Sequence, residues 1–180
     1  MKIAYVASEI TPFASTGGLA EVAASFPAAL GGMGHQVLRI MPMYRSVMER
    51  IPAAKPLGVQ LSIPVGFHVF TADIWRSDEF DPPTYFIRRD EFFDRTHIYG
   101  VPERDYDDNF ERYIFFQKAV VALLDHLDYR ADVVHGNDWP CGLLPYFLSH
   151  GIKGANRKRT EAFVFTIHNL AYQGLFPGSD

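Results

Sequence analysis

The chain has 180 residues, with 17 lysines and arginines against 21 aspartates and glutamates and a formal charge of −4 at pH 7. That balance excludes a general nucleic-acid binder, which carries a basic face, while 48% hydrophobic and 21% charged residues exclude disorder, collagen and coiled coil and leave enough apolar surface for a sizeable core. The single cysteine, Cys141, has no internal disulfide partner, the opening residues lack a secretory signal, and no apolar run approaches the roughly 20 residues that cross a bilayer, so the expectation is a cytosolic protein with neither a membrane span nor a nucleic-acid partner.

In chain order, residues 2–8 form a short apolar run ending in polar and turn residues, the pattern of a strand buried on both faces of a parallel sheet. A loop rich in Pro, Thr, Ser and Gly follows at 9–18. Residues 19–33 then carry Leu19, Val22, Ala23, Phe26, Ala29 and Leu30 at helical spacing, with Pro27 as a point of kinking and Gly31, Gly32 and Gly34 as a stop. Residues 36–42 read as a second strand and complete a right-handed βαβ unit. The alternation then breaks: residues 59–64 and 67–75 make a hairpin about Val65-Gly66, with a further strand at 83–87, an inserted antiparallel element. A helix is expected over 107–127, with Phe110, Tyr113, Ile114, Gln117, Val120, Val121 and Leu124 on one apolar face. A strand over 132–135, a helix over 141–150 and a strand over 161–167 make a second βαβ run. No repeat, low-complexity tract or linker divides the chain. The expected fold is α/β, one Rossmann-like doubly wound parallel sheet over residues 1–180 with an inserted β-hairpin. The turn formers at 176–180 are expected to lead into further chain.

In open α/β sheets, ligands bind beyond the carboxyl ends of the strands, where strand order reverses. Three loops qualify. In Ser15-Thr16-Gly17-Gly18-Leu19, paired glycines let a backbone approach an anion at a helix start; the competing reading is a tight turn into a helix. In His135-Gly136-Asn137-Asp138-Trp139-Pro140, a carboxylate beside an indole suits sugar hydroxyls and the apolar face of a pyranose; the competing reading is Asp138 as a helix cap and Trp139 as core. In Thr166-Ile167-His168-Asn169-Leu170-Ala171-Tyr172-Gln173-Gly174, His168 and Asn169 can serve hydroxyls, and His168 can move a proton or be a satisfied structural histidine. Lys153, Arg157, Lys158 and Arg159 read as a solvated basic loop, and the aromatics over 92–116 as core, with Tyr99 and Tyr106 as candidates to line a glucan groove. The dinucleotide fingerprint, the P-loop, zinc-type ligand spacing and the serine nucleophile elbow are all missing, which weakens nicotinamide, metal and serine chemistry.

Together the loops resemble the amino-terminal domain of the bacterial glycogen synthase and plant starch synthase family, which extends α-1,4-glucan from ADP-glucose. The matching segments are Ala7-Ser8-Glu9 with Pro12-Phe13-Ala14, then Thr16-Gly17-Gly18-Leu19-Ala20-Glu21-Val22, Phe92-Phe93-Asp94-Arg95, Asp132-Val133-Val134-His135 with Asn137-Asp138-Trp139, and the run from Phe165 to Gly174. They occur in the family's order across nearly the whole chain. The resemblance implies a GT-B fold, two Rossmann-like domains facing across a cleft, of which this chain carries the first, acceptor-side one; the second, nucleotide-binding domain is then a partner outside it. It implies Asp138 and His168 as catalytic residues, Ser15, Thr16, Gly17, Gly18 and Asn169 at the donor, and Tyr99, Trp139, Tyr172 and Gln173 at the acceptor. ADP-glucose and α-1,4-glucan are the implied substrates, with no metal and no cofactor.

Two positions depart from the family. Ser15 stands where it commonly has Lys against the donor phosphate, a charge-assisted bond worth roughly 1.5–3 kcal/mol, and Pro140 stands where many relatives have His or Gln. The implied reaction is retaining transfer of glucose to the non-reducing end of the glucan, with little turnover by these 180 residues alone. The alternatives are a non-catalytic glucan-binding module built on the aromatic and Trp139 loops, or a transferase using another nucleotide sugar.

Overall fold

The computed structural model describes residues 1–50, 54–152 and 161–176. The basic cluster at 153–159 lies outside them. Three short apolar segments, β1 (Lys2–Val6), β2 (Gln36–Pro42) and β8 (Val133–Asn137), form the middle of a seven-stranded sheet ordered β3-β4-β5-β2-β1-β8-β9. β1 lies between β2 and β8 and is parallel to both, with Tyr5 opposite Arg39 on one side and His135 on the other. Apart from Lys2, β1 is buried, as a central parallel strand covered on both faces must be.

β9 (Ala162–Thr166) extends the sheet beyond β8 in parallel, and β5 (Thr84–Arg88) extends it beyond β2. The far edge is the antiparallel hairpin of β3 (Lys55–Val65) and β4 (His68–Ser77). The expected insertion is therefore fused into the main sheet: β3 pairs antiparallel with β4, β4 antiparallel with β5, and β5 parallel with β2, so only β4 runs against the sheet. A further two-stranded ribbon, β6 (Gly100–Val101) with β7 (Arg104–Asp105), was not signalled by composition.

Helix α1 (Gly18–Gly32) covers one face and packs on β2, and it runs through Pro27, which is buried. Its apolar spacing overstates its contact with the sheet. Leu19 and Ala23 are buried, whereas Val22, Phe26 and Ala29 are exposed, and the edge strand β9 is itself exposed at Ala162, Val164 and Phe165. Two short helices, α2 (Arg45–Arg50) and α3 (Asp90–Phe93), follow β2 and β5.

Helix α4 (Asn109–His126) packs on β3, β4 and β5 and on the short helix α5 (Leu144–His150). Being covered from both directions, it buries more than the single expected face: Arg112, Phe115, Phe116 and Leu123 join Tyr113, Gln117, Val120, Val121 and Leu124, while Phe110 at its start is exposed. The helix expected over 141–150 is broken into a 3₁₀ turn at Trp139–Cys141 and α5, with Pro145 in the first turn of α5.

Candidate functional site

Chain order leaves β1 for β2 on one side and, after the excursion through α4, returns to β8 on the other. The reversal of strand order therefore lies between β1 and β8. The loops after β1, β8 and β9 share this end of three adjacent parallel strands.

The first loop ends in α1. Gly17 is extended (φ −166°), and no side chain caps the helix start. A Cβ built on Gly17 or Gly18 meets no heavy atom within 4 Å, and neither has a positive φ. The tight-turn reading asks for a left-handed backbone or a crowded Cβ, and the glycines show neither. What remains is an uncapped 15-residue helix whose first N–H groups and dipole point past two residues without side chains, the arrangement that receives a phosphate.

This loop is fastened from below by Glu9, which no motif had singled out as a site residue. Its carboxylate accepts hydrogen bonds from the Thr16 backbone N–H, from Thr16 Oγ1 at 2.8 Å and from the Tyr99 hydroxyl at 2.6 Å. Glu9 is only 3% exposed. The Tyr99 hydroxyl also bonds Ser8 Oγ at 2.7 Å, and burial together with Tyr113 and Glu9 pushes its pKa well up. Tyr99, expected at the acceptor, thus spends its polar end on the donor-side loop, while its ring rests 6.0 Å from that of Trp139. The segment around Tyr99 is held by the fully buried Arg112, which donates to the carbonyls of Phe92 and Ile98 at 2.7 and 3.0 Å and to Asn109 Oδ1. The sequence signal for Glu9 was its place in Ala7-Ser8-Glu9: a carboxylate three residues past a buried strand and still buried must find donors nearby.

The second and third loops are joined directly. Asp138 does not cap the turn that follows it. Its Oδ1 instead accepts from the backbone N–H of His168 at 2.7 Å and, more weakly, from that of Asn169 at 3.4 Å. Its backbone has φ 54° and ψ 178°, a combination that is costly for any residue with a Cβ. His168 Nε2 lies 3.0 Å from Asn137 Oδ1. His135, two residues before Asn137 on β8, bonds Thr166 Oγ1 at 2.7 Å against the rings of Tyr5 and Phe26; burial, and then the nearby His168, lowers its pKa.

Trp139 is partly buried, edge-on to Tyr113 at 4.8 Å, and a Cβ on Gly174 would strike its indole at 2.7 Å. It borders a cavity of about 430 Å³ that also touches Asp138, Tyr113, Phe165, Tyr172 and Gln173. Three of the four expected acceptor residues, Trp139, Tyr172 and Gln173, therefore line one hollow, and Tyr99 does not. Of the donor residues, Thr16, Gly17 and Gly18 sit on the glycine loop with exposed Ser15, and Asn169 sits beside His168 on the loop after β9, against Asp138. The glycine loop reaches the Asp138–His168 pair through the chain Glu9, Tyr99, Trp139. Among the described residues, no group of three or more His, Cys, Asp or Glu side chains is placed to hold a metal ion, and no helix is long and apolar enough to cross a membrane.

Fold and site together define a doubly wound α/β domain with an uncapped helix start and, at its switch point, a largely apolar hollow bordered by Asp138. The starch synthase catalytic domain family matches residues 2–180, and the chain belongs to that family. It is 41% identical over 177 residues to a glycogen synthase of Syntrophotalea carbinolica and 42% identical over 177 residues to glycogen synthase 2 of Geobacter sulfurreducens, in each case over 98% of this chain and 37% of the relative. The chain thus spans a little over a third of the length of these relatives. Among solved structures, the catalytic domain of starch synthase IV from Arabidopsis thaliana, bound to ADP and acarbose, superposes with a TM-score of 0.79 at 28% identity, over 96% of this chain and 34% of that one.

Proposed function

We propose that the chain is the amino-terminal, acceptor-side half of a glucan synthase that transfers glucose, with retention, from ADP-glucose to the non-reducing end of an α-1,4-glucan. The observation that carries the reading is the pair Gly17 and Gly18: their identity has no cause in backbone conformation or packing, and they stand at an uncapped helix start linked through Glu9, Tyr99 and Trp139 to the loop of Asp138. A bound diphosphate supplies the missing cause. The solved relative with ADP and acarbose supports the same pairing of nucleotide and oligosaccharide.

In this reading the leaving diphosphate gathers negative charge as the C1–O bond breaks, and the first N–H groups of α1 stabilise it. Asp138 orients the loop that carries His168 through its backbone bond and faces the sugar with its remaining carboxylate valence, favouring the positive charge that develops at C1. His168 holds a sugar hydroxyl. Catalysis then comes from positioning and phosphate stabilisation, and the reading assigns no metal and no cofactor; the nucleotide sugar is a substrate. The remainder of the enzyme, which the relatives' lengths imply, supplies the other wall of the cleft and the cations that Ser15 does not provide. The one cysteine is buried and unpaired, as suits a reducing compartment, and we place the protein in the cytosol.

The test is Gly18→Ala in the full-length protein carrying this domain. Thermal stability should hold or rise, since Ala favours a helix start over Gly by up to about 1 kcal/mol, while ADP-glucose binding, followed by calorimetry, falls at least tenfold. Unchanged ADP-glucose affinity would remove the main support. Oligosaccharide binding without any ADP-glucose binding would favour the glucan-binding module that the Trp139 cavity also suits.

A further inference from the structure

Asn137 closes β8 and is fully buried, and its side-chain amide has three partners that together dictate its orientation. Nδ2 donates to the Val6 carbonyl at 2.9 Å. Turning the amide over would set oxygen against oxygen, so the Val6 carbonyl decides which end faces which way. Oδ1 is left facing the Tyr5 hydroxyl at 3.0 Å and His168 Nε2 at 3.0 Å. An amide oxygen only accepts. The imidazole nitrogen at that distance must therefore carry the hydrogen, and a neutral ring with hydrogen on Nε2 has its lone pair on Nδ1. Nδ1 sits across the ring from the buried amide, on a side chain that is itself half-buried.

We propose that Asn137 is a positioning residue that holds neutral His168 as its Nε2–H tautomer, so that Nδ1 offers a lone pair to a hydroxyl of the bound sugar. The tautomer stands on this hydrogen-bond network alone; the sugar hydroxyl rests on the function proposed above. The arrangement selects for a donor at that point: a hydroxyl can give its hydrogen to Nδ1, whereas a deoxy or O-methylated sugar cannot. It also explains why a hydrophilic side chain lies at a fully buried strand end, where an apolar residue would otherwise serve β8 better.

The experiment is nitrogen NMR on the full-length protein carrying this domain, labelled at histidine, with His168 assigned by His168→Gln, at an alkaline pH where imidazole is neutral. The unliganded protein should show His168 as a single Nε2–H tautomer. Asn137→Leu and the smaller Asn137→Ala should move the tautomer ratio toward Nδ1–H by about 3- to 10-fold, the change expected from removing one hydrogen bond. An Nδ1–H ring in the parent protein, or a ratio that stays within about twofold in a folded variant, overturns the proposal. ADP-glucose and a maltooligosaccharide are then titrated separately. A shift of the Nδ1 resonance with either one supports the hydroxyl contact. No shift with either overturns that half while leaving the tautomer assignment standing, so failure of the network and failure of the functional reading give different spectra.

Discussion

Glu9→Gln tests the fastening of the glycine loop with almost no change of shape. In the parent, one carboxylate meets three donors: the Thr16 N–H, Thr16 Oγ1 and the Tyr99 hydroxyl. A glutamine can still accept from Thr16 Oγ1 and Tyr99 through its single oxygen, but its NH2 then faces the Thr16 N–H, donor against donor. One charge-assisted bond is lost outright, worth about 1.5–3 kcal/mol, and the other two fall to neutral strength, so a local loss of about 2–4 kcal/mol follows. If the loop and the core unfold together, the melting temperature falls by about 5–15 °C for a chain of this size. If the loop opens alone, the cost appears in Thr16 amide exchange, which should accelerate at least tenfold, the factor carried by about 1.4 kcal/mol. Hydrogen exchange with mass or NMR detection, together with a thermal melt, separates the two cases. Thr16 protection within about threefold of the parent and a melt within about 2 °C would refute the clamp.

Asp138→Ala keeps the strained backbone and loses the bond to the His168 N–H, whereas Asp138→Gly loses the bond but relieves the strain, worth of order 1–3 kcal/mol. In urea unfolding the glycine variant should be the more stable of the two by about 1 kcal/mol or more; equal stability would mean the backbone is not strained. Gly174→Ala places a Cβ 2.7 Å from the Trp139 indole at φ 63° and should cost about 1–3 kcal/mol, read as a lower denaturant midpoint. His135 binds its proton less readily folded than unfolded, through burial first and His168 second. Above its ordinary value of 6.5 both states are neutral and it contributes nothing; as pH falls below that value the unfolded chain takes up the proton first, so stability declines until the folded state is protonated too. Urea midpoints measured from pH 7 down to pH 5 should show this decline, and His135→Gln should flatten it; an unchanged slope in that variant assigns the effect to another group.

Most of the central sheet could be read directly from residue pattern, because parallel strands buried on both faces leave continuous apolar runs, and residues 36–42 mark β2 to the residue. What pattern did not convey was partnership. Nothing local says that β5 turns from its antiparallel neighbour β4 to pair in parallel with β2, or that α4 is covered from two directions. The second and third loops are joined directly and the first reaches them through Tyr99, by side chains whose types are common and whose spacing is uninformative: Glu9 and Tyr99 are 90 residues apart and Asn137 and His168 are 31 apart, and only folding brings each pair together. Asp138 shows the same limit at one position. Residue type allowed a cap or a ligand contact, and the positive φ with its bond across to the next loop replaced the cap.

The glycines separate what the fold demands from what a ligand demands. Gly136 is needed because a Cβ would press within 2.9 Å of Phe163 and 3.1 Å of Cys141, and Gly174 is needed both for its φ and for the Trp139 ring. These two are paid for by packing. Gly17 and Gly18 have no such cause, yet they sit where α1 begins, next to Thr16, whose two hydrogen bonds to Glu9 hold the loop while Tyr99 gives Glu9 a third. A flexible pair of residues held in place by a buried carboxylate makes little sense as a connector, since a connector needs neither the glycines nor the clamp. Under the proposed function it makes sense as a surface whose shape is fixed before the nucleotide sugar arrives: the clamp meets the ordering cost in advance, and the missing side chains leave room for the diphosphate.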